Sequence, residues 1–175
     1  MEKLKLILPT DAYAHQIAAY RQAFLASGDS MDGCGSLFRM EDPFAWLQQC
    51  ENLQHEETVP AGWVPSTQYI CVRESDDKLV GMIQIRHRFN EFLKKYGGHI
   101  GYSVHPDERC KGYAKWMLGT LLPHCRKLGL EKVLISCANN NPGSRGTILA
   151  NGGKYESTVY LAEDDEYLER YWIIL

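Results

Sequence analysis

The stretch VHPDERCKGYAKWML, residues 104–118, decides how the rest of the chain is read. It opens where the apolar strand HIGYSV (99–104) ends and closes inside an amphipathic helix. Between them lie Arg109, Lys111, Gly112 and Ala114. The first-turn N–H groups of a helix have no internal partners, and the helix dipole makes that end positive. A loop of further N–H groups just ahead of it forms an anion cradle. Gly112 lets a phosphate approach the backbone without meeting a Cβ, and Ala114 keeps the next turn nearly as open. Arg109 and Lys111 add charge. The stretch therefore predicts a phosphate or pyrophosphate ligand. Read blandly, it is a strand-to-helix turn that needs glycine for its geometry and carries solvated charges. Neither G-x-x-x-x-G-K-[ST] nor a post-strand G-x-G-x-x-G is present, so P-loop and dinucleotide-fold readings lack their residues.

Working outward, DERCKGYAKWMLGTLLPHCRKLG reads as a long helix with Met117, Leu118, Leu121, Leu122 and Cys125 on one face. Pro123 should bend it. EKVLISC follows as a buried strand, NPGSRGTILANGG as a short helix, and KYESTVYLA and EYLERYWIIL as strands. Upstream, LKLILP reads as a first strand. Two helices follow, the first capped by Asp11 and stopped by Gly28, the second capped by Asp42 with Pro43 at its first position. QYICVRES and KLVGMIQIRHRF form a hairpin, and NEFLKKYGG a helical turn closed by glycines. Strands alternate with helices in the second half, which implies an α/β domain with parallel strands bridged by the long helix.

The 175 residues suit one domain, and 45% hydrophobic with 23% charged residues is ordinary for a globular chain. A net charge of -3 argues against nucleic acid or an anionic membrane as main partner. No apolar run reaches the ~18 residues of a membrane span, and the N-terminus lacks the pattern of a signal peptide. The six cysteines form no C-x-x-C pair and share no ligand spacing with the six histidines. Reduced thiols, a cytoplasmic location and no metal are therefore expected.

IGYSVHPDERCKGYAKWML resembles the acetyl-CoA-binding motif of the GCN5-related N-acetyltransferases, the GNAT superfamily. That motif is Arg/Gln-x-x-Gly-x-Gly/Ala after a strand ending in Val-x-Pro; here it is Arg109, Gly112 and Ala114 after Val104 and Pro106. CANNNPGSRGTILANGG is similar to the family's Asn-x-x-Ser/Ala segment, with Asn141, Ser144 and the closing Gly152. Residues 68–155 most resemble a bacterial branch carrying "RH", then Asn, then GGHIGYSV.

The resemblance implies a mixed central sheet with splayed parallel strands at its centre, flanked by helices. Residues 1–175 would be one N-acetyltransferase domain, with 1–66 as the acceptor-side segment and 67–160 as the acetyl-CoA-binding core. Val104 and His105 would hold the pantetheine amide and thioester through their backbones. Arg109, Cys110, Lys111, Gly112, Tyr113 and Ala114 would hold the pyrophosphate. Asn141 would bond the pantetheine arm, and Ser144 would reach the phosphate or pantetheine region. Acetyl-CoA would be the cosubstrate, a small-molecule or peptide amine the acceptor, and a homodimer the assembly suggested by analogy.

The implied reaction is direct attack of a primary amine on the thioester, with a backbone N–H near Val104 stabilising the oxyanion. A lysine-like ammonium, pKa ~10.4, must first lose a proton. His99 is the candidate base, since histidine titrates in the useful range; equally it orders the loop or bonds a neighbouring strand. Many members place a general-acid tyrosine seven residues after the motif Asn, where this chain has Ile148. Tyr155 and Cys137 are possible substitutes, though a strand aromatic and a small buried hydrophobe are the plainer readings. Arg86, His87 and Asn90 either line the acceptor pocket or cap the turn that begins at Asn90. Trp63, Trp172 and Tyr171 either shape that pocket or fill core. The alternatives to the enzyme are a non-catalytic acyl-CoA sensor on the same fold and a phosphate-binding regulatory domain.

Overall fold

Strands β2 (Ser66–Arg73) and β3 (Lys78–Arg86) are apolar on both faces, and the structure buries both. It is a computed structural model and describes residues 2–175. Along β2 and β3, Ile70, Val72, Leu79 and Met82 face one cluster of buried side chains. Cys71, Val80, Ile83 and Ile85 face the other. That alternation is the two-residue period of a strand, reset once in β3 by a bulge at Val80, and it requires a cover on each side. Helices α1 (Ala14–Ser27) and α2 (Pro43–Asn52) cover the first face with Ile17, Tyr20, Phe24, Trp46 and Cys50. Helix α3 (Tyr113–Lys127) covers the second with Met117, Leu118, Leu121 and Cys125.

The remaining elements are β1 (Leu4–Ile7), β4 (Ile100–Val104), β5 (Lys132–Ala138), α4 (Pro142–Ala150), β6 (Lys154–Leu161) and β7 (Glu166–Ile174). One antiparallel sheet runs in the order β1-β2-β3-β4, and a second in the order β5-β7-β6. The mixed α/β class expected from the sequence is the one observed. The inner edges of the two sheets, β4 and β5, touch at one end only. There the His99 N–H donates to Leu134 O at 2.7 Å, and the Leu134 N–H donates back to His99 Nδ1 at 2.9 Å. Beyond this point residues 100–104 and 135–138 line a common cleft. The two strands thus start together, run the same way and splay. Gly98 (φ 66°) makes the junction possible, because a Cβ there would meet Leu134 O at 2.5 Å.

Several local expectations need adjustment. Helix α1 is entered through a 3-10 turn at Asp11–Tyr13, and Asp11 gives it no side-chain cap. Gly28 does stop it in the left-handed region, and Asp42 caps α2 by accepting the Phe44 N–H. The long helix starts at Tyr113, later than the pattern of residues 107–129 suggests, because Pro106–Glu108 is a separate 3-10 turn. It runs unbroken through Pro123. No helix among the described residues is long and apolar enough to cross a membrane.

Candidate active site

The splay leaves a cleft of about 890 Å³. Its walls follow from the strand ladder. The His105 N–H donates to Val80 O and the Arg86 N–H to His99 O, so alternate residues of β4 are committed to β3. The backbone groups of Ile100, Tyr102 and Val104 therefore point the other way, toward β5, which does not close on them. An extended arm laid between β4 and β5 would meet them like an added strand. Val104 has that placement in the cleft wall. His105 does not share it: its N–H is used in the ladder, its Nδ1 accepts the Asp107 N–H at 3.3 Å, and it is not in the cleft wall.

The cradle stands at the mouth of this cleft. The first backbone bond of α3 is Trp116 N–H to Gly112 O, so Tyr113, Ala114 and Lys115 have N–H groups without helical partners. Gly112 has φ 82°, and a Cβ built on it would have open space within 4 Å. Cys110, at φ 63°, helps the loop curl its N–H groups inward. Arg109, Cys110, Gly112, Tyr113, Ala114, Asn141 and Ser144 all line the cleft with Val104.

The charges of the loop are placed differently from the simple expectation. Lys111 Nζ is 2.7 Å from Glu108 and is not in the cleft wall. Glu108 is only 4% exposed and also takes Lys78 at 2.7 Å and Arg73 at 2.8 Å. Burial would raise its pKa, but Lys111, Lys78 and Arg73 hold it down at about 2. Lys111 thus fastens the loop from beneath. Arg109 does face the cleft, where it pairs with Asp29 at 2.8 Å.

On α4, Asn141 Oδ1 caps the helix by accepting the Ser144 N–H at 3.0 Å. Its Nδ2 makes no hydrogen bond among the described residues and is free to donate. Ile148, at the tyrosine position of the family motif, is 0% exposed and belongs to the core. A phenol nevertheless meets α4 one turn earlier, at Ser144. Tyr102 crosses from β4 to α4, its Oη 2.8 Å from Ser144 Oγ and 3.2 Å from Ser144 O. Burial raises its pKa, so the phenol stays protonated and able to donate. Tyr102 belongs to no motif; its one signal in the sequence is a tyrosine two residues before Val104 in the same strand.

Other candidates lie elsewhere. His99 is 5% exposed, stacks on Phe89 with centroids 4.0 Å apart, and is not in the cleft wall. Its Nδ1 lone pair is taken by the Leu134 N–H, which puts the neutral proton on Nε2. Burial, then the positive charge of Arg86, lowers its pKa to about 4. Tyr155 is 58% exposed, bonds Thr158 and is outside the cleft wall. Cys137 lines the cleft, but burial pushes its thiol up to about 11. Asn90 caps the turn Leu93–Gly97 by accepting the Leu93 N–H, and His87 Nε2 bonds Thr67 Oγ1 at 2.8 Å. Of that trio only Arg86 reaches the cleft. Tyr171 is core, while Trp63 and Trp172 lie outside the cleft wall.

A split sheet with N–H groups gathered at the mouth of the split defines a class of α/β protein able to take an extended ligand along β4. The acetyltransferase (GNAT) family model matches residues 32–152, and the chain belongs to that family. No curated protein matches its sequence. Among solved structures it is similar to the ribosomal-protein-S5-alanine acetyltransferase from Vibrio fischeri, at 17% identity and TM-score 0.74, covering 99% of this chain and 94% of that one. It is similar to the microcin C7 self-immunity acetyltransferase MccE, a complex with acetyl-CoA and AMP, at 16% identity and TM-score 0.75, covering 100% and 94%. A spermidine N-acetyltransferase SpeG chimera from Vibrio cholerae and hSSAT gives 12% identity and TM-score 0.67, covering 98% and 94%. At these identities the likeness is one of fold.

Proposed function

We propose that the protein is an acetyl-CoA-dependent N-acetyltransferase that acetylates a primary amine by direct attack. The observation that carries this reading is the continuity of the cradle with the splay. A pyrophosphate on the N–H groups of residues 110–114 would lead its pantetheine arm straight along the outward-facing backbone of Val104 and Tyr102. Arg109 adds charge at the phosphate, and the Asn141 Nδ2 donates to the arm. The acetyl-CoA in the MccE complex supports this placement by analogy of fold.

The residues also support a division of labour for the reaction. The amine nitrogen attacks the thioester carbonyl, and a backbone N–H of β4 meets the oxyanion. As the tetrahedral centre collapses, the C–S bond breaks and its electron pair goes to sulfur. Tyr102 donates its phenolic proton, or a hydrogen bond, to that thiolate, the part that Ile148 cannot play. Water takes the proton lost by the amine and returns one to the phenol. His99 is a strut in this scheme: its geometry and low pKa suit the junction of β4 and β5, not proton abstraction.

Thiol release from acetyl-CoA over a panel of amino acids, peptides and polyamines tests the proposal. Turnover with at least one amine is expected. CoA binding without turnover on any amine would overturn it in favour of an acyl-CoA sensor.

A further inference from the structure

Arg86 is the cation that the proposed reaction leaves without work. It ends β3 on the face that carries α1 and α2, opposite the α3 face, and it lines the cleft. Among the described residues its guanidinium makes one hydrogen bond, Nη1 to Gly97 O, at the long distance of 3.4 Å. Its Nη2 lies 3.3 Å from where a Cβ on Gly101 would be. Gly101 thus makes room for it, one residue from Tyr102 along β4.

A guanidinium has five donors and cannot shed its charge. Arg86 is only partly buried, and its unused donors open on the cleft, where water or a ligand takes them. Burial still weakens its hold on the proton, and Asp32 only partly compensates. Asp32 lines the same end of the cleft but makes no ion pair with Arg86 within 4 Å. The two opposite charges therefore line one cleft without being paired to each other. The other acids of the wall are accounted for elsewhere. Asp29 is paired with Arg109, Glu108 sits under the loop, and Asp164 and Glu166 lie toward Ala138 and Asn140, at the open end.

We propose that Arg86 is a carboxylate-binding residue of the acceptor site, and that the acceptor is a free α-amino acid. On the proposed reading the arm leaves the cradle past Val104, so its thioester end meets the next outward-facing residue, Tyr102, and Arg86 beside Gly101 stands one residue further along β4. That short span matches an amine and a carboxylate on one carbon. A lysine side-chain amine or a polyamine places no carboxylate there. Asp32 receives the ammonium before it loses its proton, and Arg86 takes the carboxylate in the bidentate fork it prefers. Phe92 and Tyr96 border the same end and give the acceptor's side chain apolar walls.

This inference rests on the acetyltransferase reading, and its test keeps the two apart. Free amino acids are compared with their carboxamides, which keep the amine and lose the carboxylate, as substrates with acetyl-CoA. In parallel, their binding to the CoA-loaded protein is followed by saturation-transfer NMR. At least one amino acid should show a KM ten or more times below that of its amide. Arg86→Gln should raise the KM for the acid to the level of the amide while leaving the amide's KM and the CoA Kd within about twofold. Arg86→Lys, which keeps the charge and loses the fork, should fall between. Equal KM values for acid and amide, or an equal loss of both in Arg86→Gln, would overturn the site and leave acetyl transfer standing. Arg86-dependent binding of an amino acid with no thiol release from any amine would do the reverse.

Discussion

Replacing His99 by Asn separates a structural from a catalytic histidine in one experiment. Asn places an amide oxygen near the position of Nδ1, so it can still accept the Leu134 N–H that His99 accepts at 2.9 Å. It cannot titrate. In the folded protein His99 has a pKa of about 4, against 6.5 for the unfolded chain. Between those values the unfolded state binds a proton that the folded state refuses, so stability falls as the pH drops from 6.5 to 4. The gap, at ~1.4 kcal/mol for each tenfold in proton affinity, comes to about 3 kcal/mol. Burial lowers His87 and His105 as well, so the wild type alone does not isolate the effect. The difference between wild type and His99→Asn does. Urea titrations at half-unit steps from pH 7 to pH 4 should show the wild type losing about 3 kcal/mol more than the variant, with no further divergence well below pH 4. His99→Ala should lose stability at every pH, since it orphans a buried N–H at a cost of ~1–3 kcal/mol and removes the Phe89 stack. His99→Asn should keep most of the rate at pH 7. Parallel stability curves for wild type and Asn variant, together with a collapse of the neutral-pH rate, would refute the strut and restore the base.

Three further outcomes are expected. Tyr102→Phe should lower kcat by about 100-fold or more, the usual scale for a positioned acid, with the CoA Kd within about twofold by calorimetry; an unchanged kcat would remove Tyr102 from the reaction. Gly112→Asp should cost folding only ~1–2 kcal/mol, the strain of a left-handed non-glycine residue, because its Cβ meets open space. Its carboxylate would occupy the cradle, so CoA binding should become undetectable, and retained affinity would contradict the placement. Asp29→Asn should release Arg109 from its 2.8 Å pair and tighten CoA binding by up to about fivefold at low salt. That gain should fade at high salt, and an equal gain at all salt concentrations would mean that the pair was not competing with the phosphate.

What the sequence exposed and what it hid divide along the range of the interaction. The cradle is local: Gly112, the free N–H groups after it and the strand before it are set by a dozen consecutive residues. Asp42, Gly28 and Asn90 act on backbone within a few positions, and each occupies the place its type suggests. The splay depends on an exchange between His99 and Leu134, 35 residues apart, so no periodicity announces it. The order β5-β7-β6 likewise places the last strand between two earlier ones. Tyr102 and Arg86 take their meaning from neighbours on other elements, Ser144 in one case and Gly97 with Gly101 in the other.

The charges of the cradle argue for a ligand recognised by geometry more than by net attraction. A simple count gives the loop two cations, Arg109 and Lys111. Glu108 neutralises Lys111 from beneath and Asp29 neutralises Arg109 from the side. These pairs differ in kind. Glu108 is buried among three cations, so removing it would strand their charge and loosen the loop itself. Asp29 and Arg109 are each 43% exposed, and solvent screening leaves such a pair little net worth. The strong interaction therefore fixes the shape of the loop, and the weak one is the pair that the proposed phosphate would displace. What remains constant through that exchange is the ring of N–H groups from residues 110–115, held in place by Gly112 and Glu108. On the proposed reading the selectivity of the mouth lies in that backbone, and a protein of net charge -3 needs no excess of basic residues to bind the phosphate there.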